Sequence, residues 1–495
     1  MTGPRPLPMR DDPLARARAL LIARLAIVLY IVELLLNLIR PHLLPDEPTL
    51  SIFYKMPGDS GSLGRLLSTP RLVFWIVLAG IVAGAAVQIY AALTRGKAAD
   101  DGGRRAVTLT WITLGCLLLP FGLISLTVVF AFFPITLLCL PSTALVLLLL
   151  RAVVRFGRLS WAALLIAFGW GALIVFGLGR AYTSLAFGTL YGYLGPKAGT
   201  DLSGFTKGLS QTMNLLIVHL SVANALVIAA GVALLLMLLR HRVTDAVTGL
   251  VLGAAVGLGY NFVESILFIK IYGTLGAFFG PTGGFEYWIR QSIGVLGGQV
   301  TFGALIGAGL GAAVGAQRRG KVIAGGLLAG IGGATGAETL SGWLAGRVSG
   351  HAEVGSTLDT LVISPFFWLL PQLPFLALAV ALLVTGLRSR AGLLRDALAA
   401  EITAAGPITA AEVPVLAAPG LRFWALVSTW RSYGRSTALA LHRLQSAQLD
   451  LAGWRAGRNP ETDTETGTEP ETGAEGDKLR ARVMQGKGES RTVHS

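Results

Sequence analysis

Long apolar runs alternate with short polar stretches along most of the chain. A run of about 20 apolar residues is long enough to cross the hydrocarbon core of a bilayer as a helix. Ten such runs predict ten membrane-spanning helices, at 18–39, 72–94, 106–128, 131–150, 160–179, 211–239, 245–272, 291–315, 321–346 and 357–386. The pattern therefore predicts an all-α fold, a polytopic membrane helix bundle of about ten transmembrane helices.

The apolar stretch at 106–150 is too long for a single span. Because Pro120, Pro134 and Pro141 interrupt it, we predict two helices there rather than one. The distribution of Lys and Arg supports this division, since basic loops then largely alternate with loops that hold few basic residues. The same alternation predicts a multi-pass protein of the cell membrane with both termini in the cytoplasm.

Composition agrees with a membrane protein. Of the 495 residues, 53% are hydrophobic and only 14% are charged, and the net charge is +14. Because the basic residues lie in the predicted cytoplasmic loops, we attribute the charge to topology and expect no nucleic-acid partner. The partner that the composition implies is the lipid bilayer. Cys116 and Cys139 both fall inside predicted spans, which excludes a disulfide framework.

The composition changes beyond the last span. We divide the chain into a cytoplasmic tail at 1–17, a transmembrane bundle at 18–386, a small helical cytoplasmic domain at 387–456 and a disordered tail at 457–495. Thr409 and Glu412 form a T-x-x-E capping box, which is typical of a helix start. The tail is rich in Thr, Glu, Gly and Pro, which predicts disorder. Three tryptophans either pack within the helical domain or lie at the membrane surface: Trp424, Trp430 and Trp454.

Glu264 is the most informative residue of the bundle, because it lies inside the predicted span at 245–272. A carboxylate near mid-membrane costs on the order of 3 kcal/mol to insert, so it normally faces a protein interior or a water-filled site. Gly249, Gly253 and Gly257 recur every four residues on the same helix. Such a ridge lets a neighbouring backbone approach closely. We therefore predict that Glu264 is a buried residue of a functional site.

Four polar residues share an estimated depth in four consecutive predicted spans. His219, Glu264, Gln299 and Glu338 each lie 8 residues from the outer end of a span, which corresponds to roughly 12 Å. An imidazole, two carboxylates and an amide are the material for a metal site or for a carboxylate-activated water. The alternative is that each group only satisfies the backbone of a neighbouring helix.

Residues 245–265, D-A-V-T-G-L-V-L-G-A-A-V-G-L-G-Y-N-F-V-E-S, resemble a helix of the PrsW family of intramembrane proteases. That family carries D-G-x-x-Y-G-A-x-x-G-x-G-F-A-x-x-E-N on a membrane helix. F-G-W-G-A-L at 168–173, and Arg290 with the following G-A-L-I-G-A-G-L-G, resemble neighbouring helices of the family. The resemblance covers roughly 160–455, with a protease-like core at 160–386. It implies proteolysis of membrane-anchored proteins within or beside the membrane.

The resemblance also implies site residues. The family uses a Glu-Glu-x-x-Lys motif, an F-x-x-x-E motif and a histidine, and Tyr260-x-x-x-Glu264 matches the second. Asn224, Ala225 and Ile228 stand at the first motif, and Gln299 stands where relatives have histidine. Because an amide is no general base at neutral pH, Gln299 does not replace that histidine chemically.

We therefore assign expected roles to seven residues. Glu264 is the family-matched catalytic residue, and His219 and Glu338 are the candidates to replace its missing partners. Tyr260, Asn261, Gln299 and Arg290 are candidate binding residues. The cofactor is unknown. A divalent metal such as zinc, held by His219, Glu264 and Glu338, is a hypothesis.

Three functions stay open at this point. The chain is a divergent intramembrane peptidase of the glutamic or metallo type, or it is a catalytically impaired relative that serves as a non-catalytic scaffold for a membrane segment or partner protein. The third alternative is a transport or permeation path lined by the polar layer, since intramembrane acids often mark such paths. The sequence shows no inverted repeat that would favour transport.

Overall fold

The computed structural model describes nine stretches of the chain: 13–39, 71–94, 104–154, 159–198, 202–279, 287–348, 362–402, 407–456 and 469–492. The chain divides into two compact units. The membrane unit comprises Met1–Ala152 and Ser160–Val380, and the C-terminal unit comprises Val153–Leu159 and Ala381–Ser495.

The membrane unit is built from helices. They are α1 (Pro13–Ile39), α2 (Arg71–Leu93), α3 (Arg104–Ala131), α4 (Phe133–Val153), α5 (Trp161–Trp170), α6 (Phe176–Ala198), α7 (Leu202–Leu238), α8 (Ala246–Phe279), α9 (Gln299–Ala312), α10 (Arg319–Val348), α11 (Ser364–Leu369) and the start of α12 (Leu373–Ala399). A π-helical turn at Gly171–Val175 joins α5 to α6. Within the described residues, eight helical segments are long and apolar enough to cross a membrane. The predicted all-α polytopic bundle is confirmed.

The stretch at 106–150 forms two helices, α3 and α4, as the prolines predict. Phe132 alone separates them. Pro134 has no backbone N–H to donate and is disfavoured beyond the first turn of a helix, so it favours a new start there. Both helices count among the candidate membrane spans.

Helix α8 lies at the centre of the membrane unit, with 94% of its most apolar window buried. Its glycine ridge packs against α9, and an added Cβ at Gly253 would lie 2.1 Å from the carbonyl oxygen of Gly303. On another side, an added Cβ at Gly259 would lie 2.0 Å from the carbonyl oxygen of Phe168 in α5. The predicted close approach of backbones at this ridge is confirmed, and it fixes α8 between two neighbours.

The predicted continuous helix at 291–315 is wrong. A π-helical segment at Trp288–Ile293 ends at Gly294, and α9 begins only at Gln299. Between them the backbone is unwound, and Gly298 has a φ of 54°. Its N–H donates to Oε1 of the Gln372 side chain. Paired glycines are poor helix formers, and unwound backbone is tolerated at membrane depth where protein groups satisfy it.

The C-terminal unit is helical and has its own hydrophobic core. It contains α13 (Glu412–Ala417), α14 (Pro419–Ala456) and α15 (Glu469–Thr492). The backbone N–H of Thr409 donates to the Glu412 carboxylate over 2.8 Å, which is one half of the predicted capping box. Leu451, Trp454 and Val483 lie in the core.

Helix α15 occupies most of the stretch for which the composition predicts disorder. Arg480 binds Glu401 over 2.9 Å, and Lys487 binds Glu412 over 2.9 Å. Val483 is fully buried against α14. The low apolar content of the tail is thus offset by ion pairs and a few buried contacts that composition alone does not reveal. Residues 457–468 lie outside the described residues.

Candidate functional site

Helix α8 presents the residues of the Tyr260-x-x-x-Glu264 motif one turn apart. Tyr260 and Asn261 are buried, at 3% and 6% exposure. The Tyr260 ring contacts Phe176 of α6 edge-on, with ring centroids 5.4 Å apart. Glu264 is partly buried, as its place on a packed membrane helix predicts. The motif therefore lies in the interior of the bundle and not on its lipid-facing side.

Glu264 forms an ion pair with Arg290. Nη1 of Arg290 lies 3.2 Å from Oε2 of Glu264, and each side chain is only 16% exposed. The guanidinium also stacks on the Phe268 ring, with Cζ 4.1 Å from the ring centroid. In a medium of low dielectric constant, such a pair balances a charge that would otherwise be costly to bury. The Glu264 carboxylate is therefore engaged by a protein cation.

Asn224 of α7 and Tyr260 of α8 meet beside Gly179 of α6. An added Cβ at Gly179 would lie 3.1 Å from Oδ1 of Asn224 and 3.2 Å from the Tyr260 hydroxyl. Oδ1 of Asn224 is buried and has no hydrogen-bond partner within the described part of the chain. The neighbouring Ala225 belongs to a small hydrophobic cluster with Phe302, Ala334 and Ala337. Thus an amide and a methyl group stand at the positions that the resemblance assigns to the family's paired glutamates.

Gln299 is the first residue of α9 and is 5% exposed. Its backbone carbonyl packs against the α8 ridge, 2.0 Å from where a Cβ at Gly257 would lie. Gly257 precedes Tyr260 by three residues, so Gln299 lies one helical turn from the motif. The structure thus places the residues that the resemblance assigns to the motif positions on the packed helices α7, α8 and α9.

His219 lies in a second polar cluster, which we call the Glu33 cluster. Nε2 of His219 lies 3.3 Å from Oε2 of Glu33 and 2.8 Å from the Tyr182 hydroxyl. The Thr189 hydroxyl donates to Oε1 of Glu33 over 3.0 Å. Glu33 is 3% exposed, whereas the His219 side chain is 48% exposed. Helices α1, α6 and α7 supply these four residues.

Sequence reasoning did not find the Glu33 cluster. The available signal was Glu33 itself. It is an acid in an apolar span, and like Glu264 it is therefore expected to face a protein interior or a site. Glu338 lies on α10, but its side chain is outside the described residues. The joint site of His219, Glu264 and Glu338 therefore stays a prediction.

Residues 159–336 match the family model described as PrsW family intramembrane metalloprotease. These residues form a PrsW-family domain. No curated protein and no solved structure matches the chain. The PrsW-family domain contains α5 to α9 and most of α10, and with them every motif position named above. Glu33 lies outside it, on α1.

The family description implies a metal ion, and the residues of this PrsW-family domain can be tested for one. Among the described side chains, no group of three or more His, Cys, Asp or Glu residues could hold a metal. The motif positions hold Asn224, Ala225 and Gln299, which are weak ligands or none. The guanidinium of Arg290 lies next to the Glu264 carboxylate. Its positive charge would repel a metal cation at the same carboxylate. The described residues around Glu264 do not fit a metal ion.

Proposed function

We propose that this PrsW-like protein is catalytically impaired and binds a segment of a membrane-anchored protein without cleaving it. The Glu264–Arg290 ion pair carries the proposal. A general base must accept a proton from water, and a carboxylate paired with a guanidinium is a weaker base because the cation stabilises its charged form. The amides of Asn224 and Gln299, at the other motif positions, do not accept that proton in its place.

The same site retains a feature of a binding site. Oδ1 of Asn224 is a buried acceptor without a hydrogen-bond partner among the described residues, and both it and the Tyr260 hydroxyl lie next to Gly179. An unsatisfied buried acceptor costs about 1 to 3 kcal/mol, so a bound segment that donates an N–H or O–H is stabilised there. A helix whose backbone is locally unwound offers such donors.

We further infer that the protein is in the cell membrane with both termini in the cytoplasm. The alternation of basic and poorly basic loops supports this orientation.

Photocrosslinking in membranes tests the proposal. Tyr260 is replaced by p-benzoylphenylalanine, and Trp161, an aromatic residue that is 42% exposed, receives the same replacement as the control. We expect position 260 to crosslink a membrane-anchored protein far more strongly than position 161. The length of that partner should be the same beside the wild-type chain and beside Glu264→Gln. A partner that is shortened only beside the wild-type chain overturns the proposal in favour of proteolysis.

The Glu33 cluster favours a second candidate, a peptidase that uses His219 as a general base. A buried carboxylate next to an imidazole orients the ring, as in other acid–base sites. The 48% exposure of His219 leaves it accessible to a substrate. Cleavage of the crosslinked partner that is lost in His219→Asn but retained in Glu264→Gln would support this candidate. Cleavage unaffected by His219→Asn rules it out.

A further inference from the structure

The first half of α14 exposes an unusual number of aromatic side chains. Gly434 has a φ of 83° and a ψ of 179°, which interrupts the helix. After this break, α14 contributes Leu444, Leu451 and Trp454 to the core of the C-terminal unit. The part before it, at 419–433, behaves differently. Phe423, Trp424, Trp430 and Tyr433 are each 60% to 63% exposed there, whereas Trp454 is 6% exposed.

Three of these exposed side chains, Phe423, Trp430 and Tyr433, lie within about 80° of one another around the helix. Each residue advances the helix by about 100°, so Phe423 and Trp430, seven residues apart, lie on nearly the same line. Tyr433 lies about 60° from Trp430 on one flank of that line, and Trp424 lies about 100° from Phe423 on the other. Ser432 lies roughly 160° from Trp430, on the opposite side. The exposed aromatic side chains of the segment at 419–433 therefore occupy one half of the helix surface, and Ser428 and Ser432 lie on the other half.

The segment is held at its start and carries positive charge at its end. Arg422 is buried, and its guanidinium donates to the carbonyl oxygen of Leu416 in α13. Arg431 and Arg435 are exposed. A helix with Trp and Phe on one face and Arg beside it is typical of segments that lie in the plane of a bilayer surface. Trp and Tyr are also enriched at the level of the lipid headgroups.

We propose that the segment at 419–433 docks on a membrane surface that contains anionic phospholipids. Helix α12 supports this occupant, because the candidate span at Pro365–Ala399 leads directly into the C-terminal unit. The segment is thereby tethered to the bilayer that it would bind, which raises its effective concentration there. Arg431 and Arg435 match the negative charge of such a surface. This inference does not depend on the proposed function of the PrsW-family domain.

Quenching measurements on the full chain in proteoliposomes test the docking. Cys116 and Cys139 are first replaced by Ala, and a polarity-sensitive fluorophore is attached in separate variants at Trp430→Cys and Ser432→Cys. The two sites lie on opposite faces of one helical turn, so Ser432→Cys is the matched control. We expect a nitroxide carried by lipid to quench the label at 430 more strongly than the label at 432. Aqueous iodide should show the reverse preference.

The arginines provide the second arm of the experiment. Replacing Arg431 by Gln should weaken docking about fivefold, because one basic residue near an anionic surface contributes about 1 kcal/mol. In liposomes that contain only zwitterionic lipid, the nitroxide should quench the label at 430 less than it does in liposomes with anionic lipid. Equal quenching at 430 and 432 by both reagents overturns the proposal. A label at 430 that neither reagent reaches also overturns it, since a second copy or another protein then covers the face.

Discussion

Arg290, in the π-helical segment at Trp288–Ile293, reaches back to Glu264 of α8, with Nη1 and Oε2 3.2 Å apart. The two residues are 26 positions apart in the chain, and the junction between them includes stretches outside the described residues. Stacking of the guanidinium on Phe268 holds the cation in place. The pair thus fixes the segment that follows α8 onto α8 itself. In this chain, the Glu264 carboxylate of the family motif therefore forms an ion pair that holds two parts of the membrane unit together.

Removing the cation should therefore destabilise the membrane unit. Arg290→Met leaves Glu264 as a buried charge without this partner, which costs about 3 to 5 kcal/mol when such a pair is fully buried. The loss should be smaller in the double variant Glu264→Gln with Arg290→Met, because no charge is then stranded. Thermal unfolding in detergent compares the wild-type chain, the single variant and the double variant. The control is Asp477→Asn, which breaks an exposed ion pair with Arg480 and should change stability by less than about 1 kcal/mol. Additive effects of the two substitutions contradict the pairing.

Alanine at the glycine ridge of α8 should be poorly tolerated. In Gly253→Ala the new Cβ would lie 2.1 Å from the Gly303 carbonyl oxygen, so α8 and α9 must separate. Overpacking of this kind costs about 1 to 3 kcal/mol. Gly332→Ala in α10 is the matched control, since an added Cβ there meets nothing within 4 Å. It should be neutral or stabilise the helix by up to about 1 kcal/mol. Equal melting temperatures for the two variants would argue against the close approach.

The Glu33 cluster should contribute to stability. Glu33→Ala removes the acceptor for the Thr189 hydroxyl and the carboxylate next to His219, which costs about 1 to 3 kcal/mol. Arg24→Ala on the same helix is the control, because its hydrogen bond to Gln88 is exposed and its loss should be nearly silent. Thermal unfolding in detergent compares the two. A silent Glu33→Ala variant contradicts the described contacts.

The C-terminal unit should lose stability in acid. Burial raises the pKa of the Glu412 carboxyl, but hydrogen bonds from the Thr409 N–H and from Lys487 together outweigh it, so its pKa lies below the ordinary 4.5. A carboxyl whose pKa is lowered on folding stabilises the fold above its ordinary pKa, and the contribution is lost as the pH falls through the folded pKa. The contribution of this group to protection from hydrogen exchange at 407–456 should therefore be complete and constant around neutral pH and should be lost in acid. Lys487→Met should weaken protection at neutral pH and flatten the acid dependence. An unchanged acid dependence in that variant speaks against the role of Lys487.

Much of the fold follows from the sequence, whereas the contacts of the site do not. The apolar runs and prolines predict the helices, and the period of Gly249 and Gly253 predicts how α8 packs, because both depend on local spacing. The partner of His219 depends on which helices are neighbours, and spacing along one helix carries no information about that. A depth estimate groups His219 with Glu264, but its described contacts are to Glu33 and Tyr182.

The unwound stretch before α9 has a consequence for the synthesis of the chain. The backbone N–H of Gly298 finds its acceptor in Gln372, 74 residues later. When the segment around Gly298 first enters the membrane, Gln372 has not yet been made. Until Gln372 arrives with the last span, the Gly298 N–H must donate its hydrogen bond to another acceptor. A carbonyl oxygen of a continuous helix or a trapped water molecule can accept it. The final shape of this segment is therefore set late, by the arrival of α11 and α12.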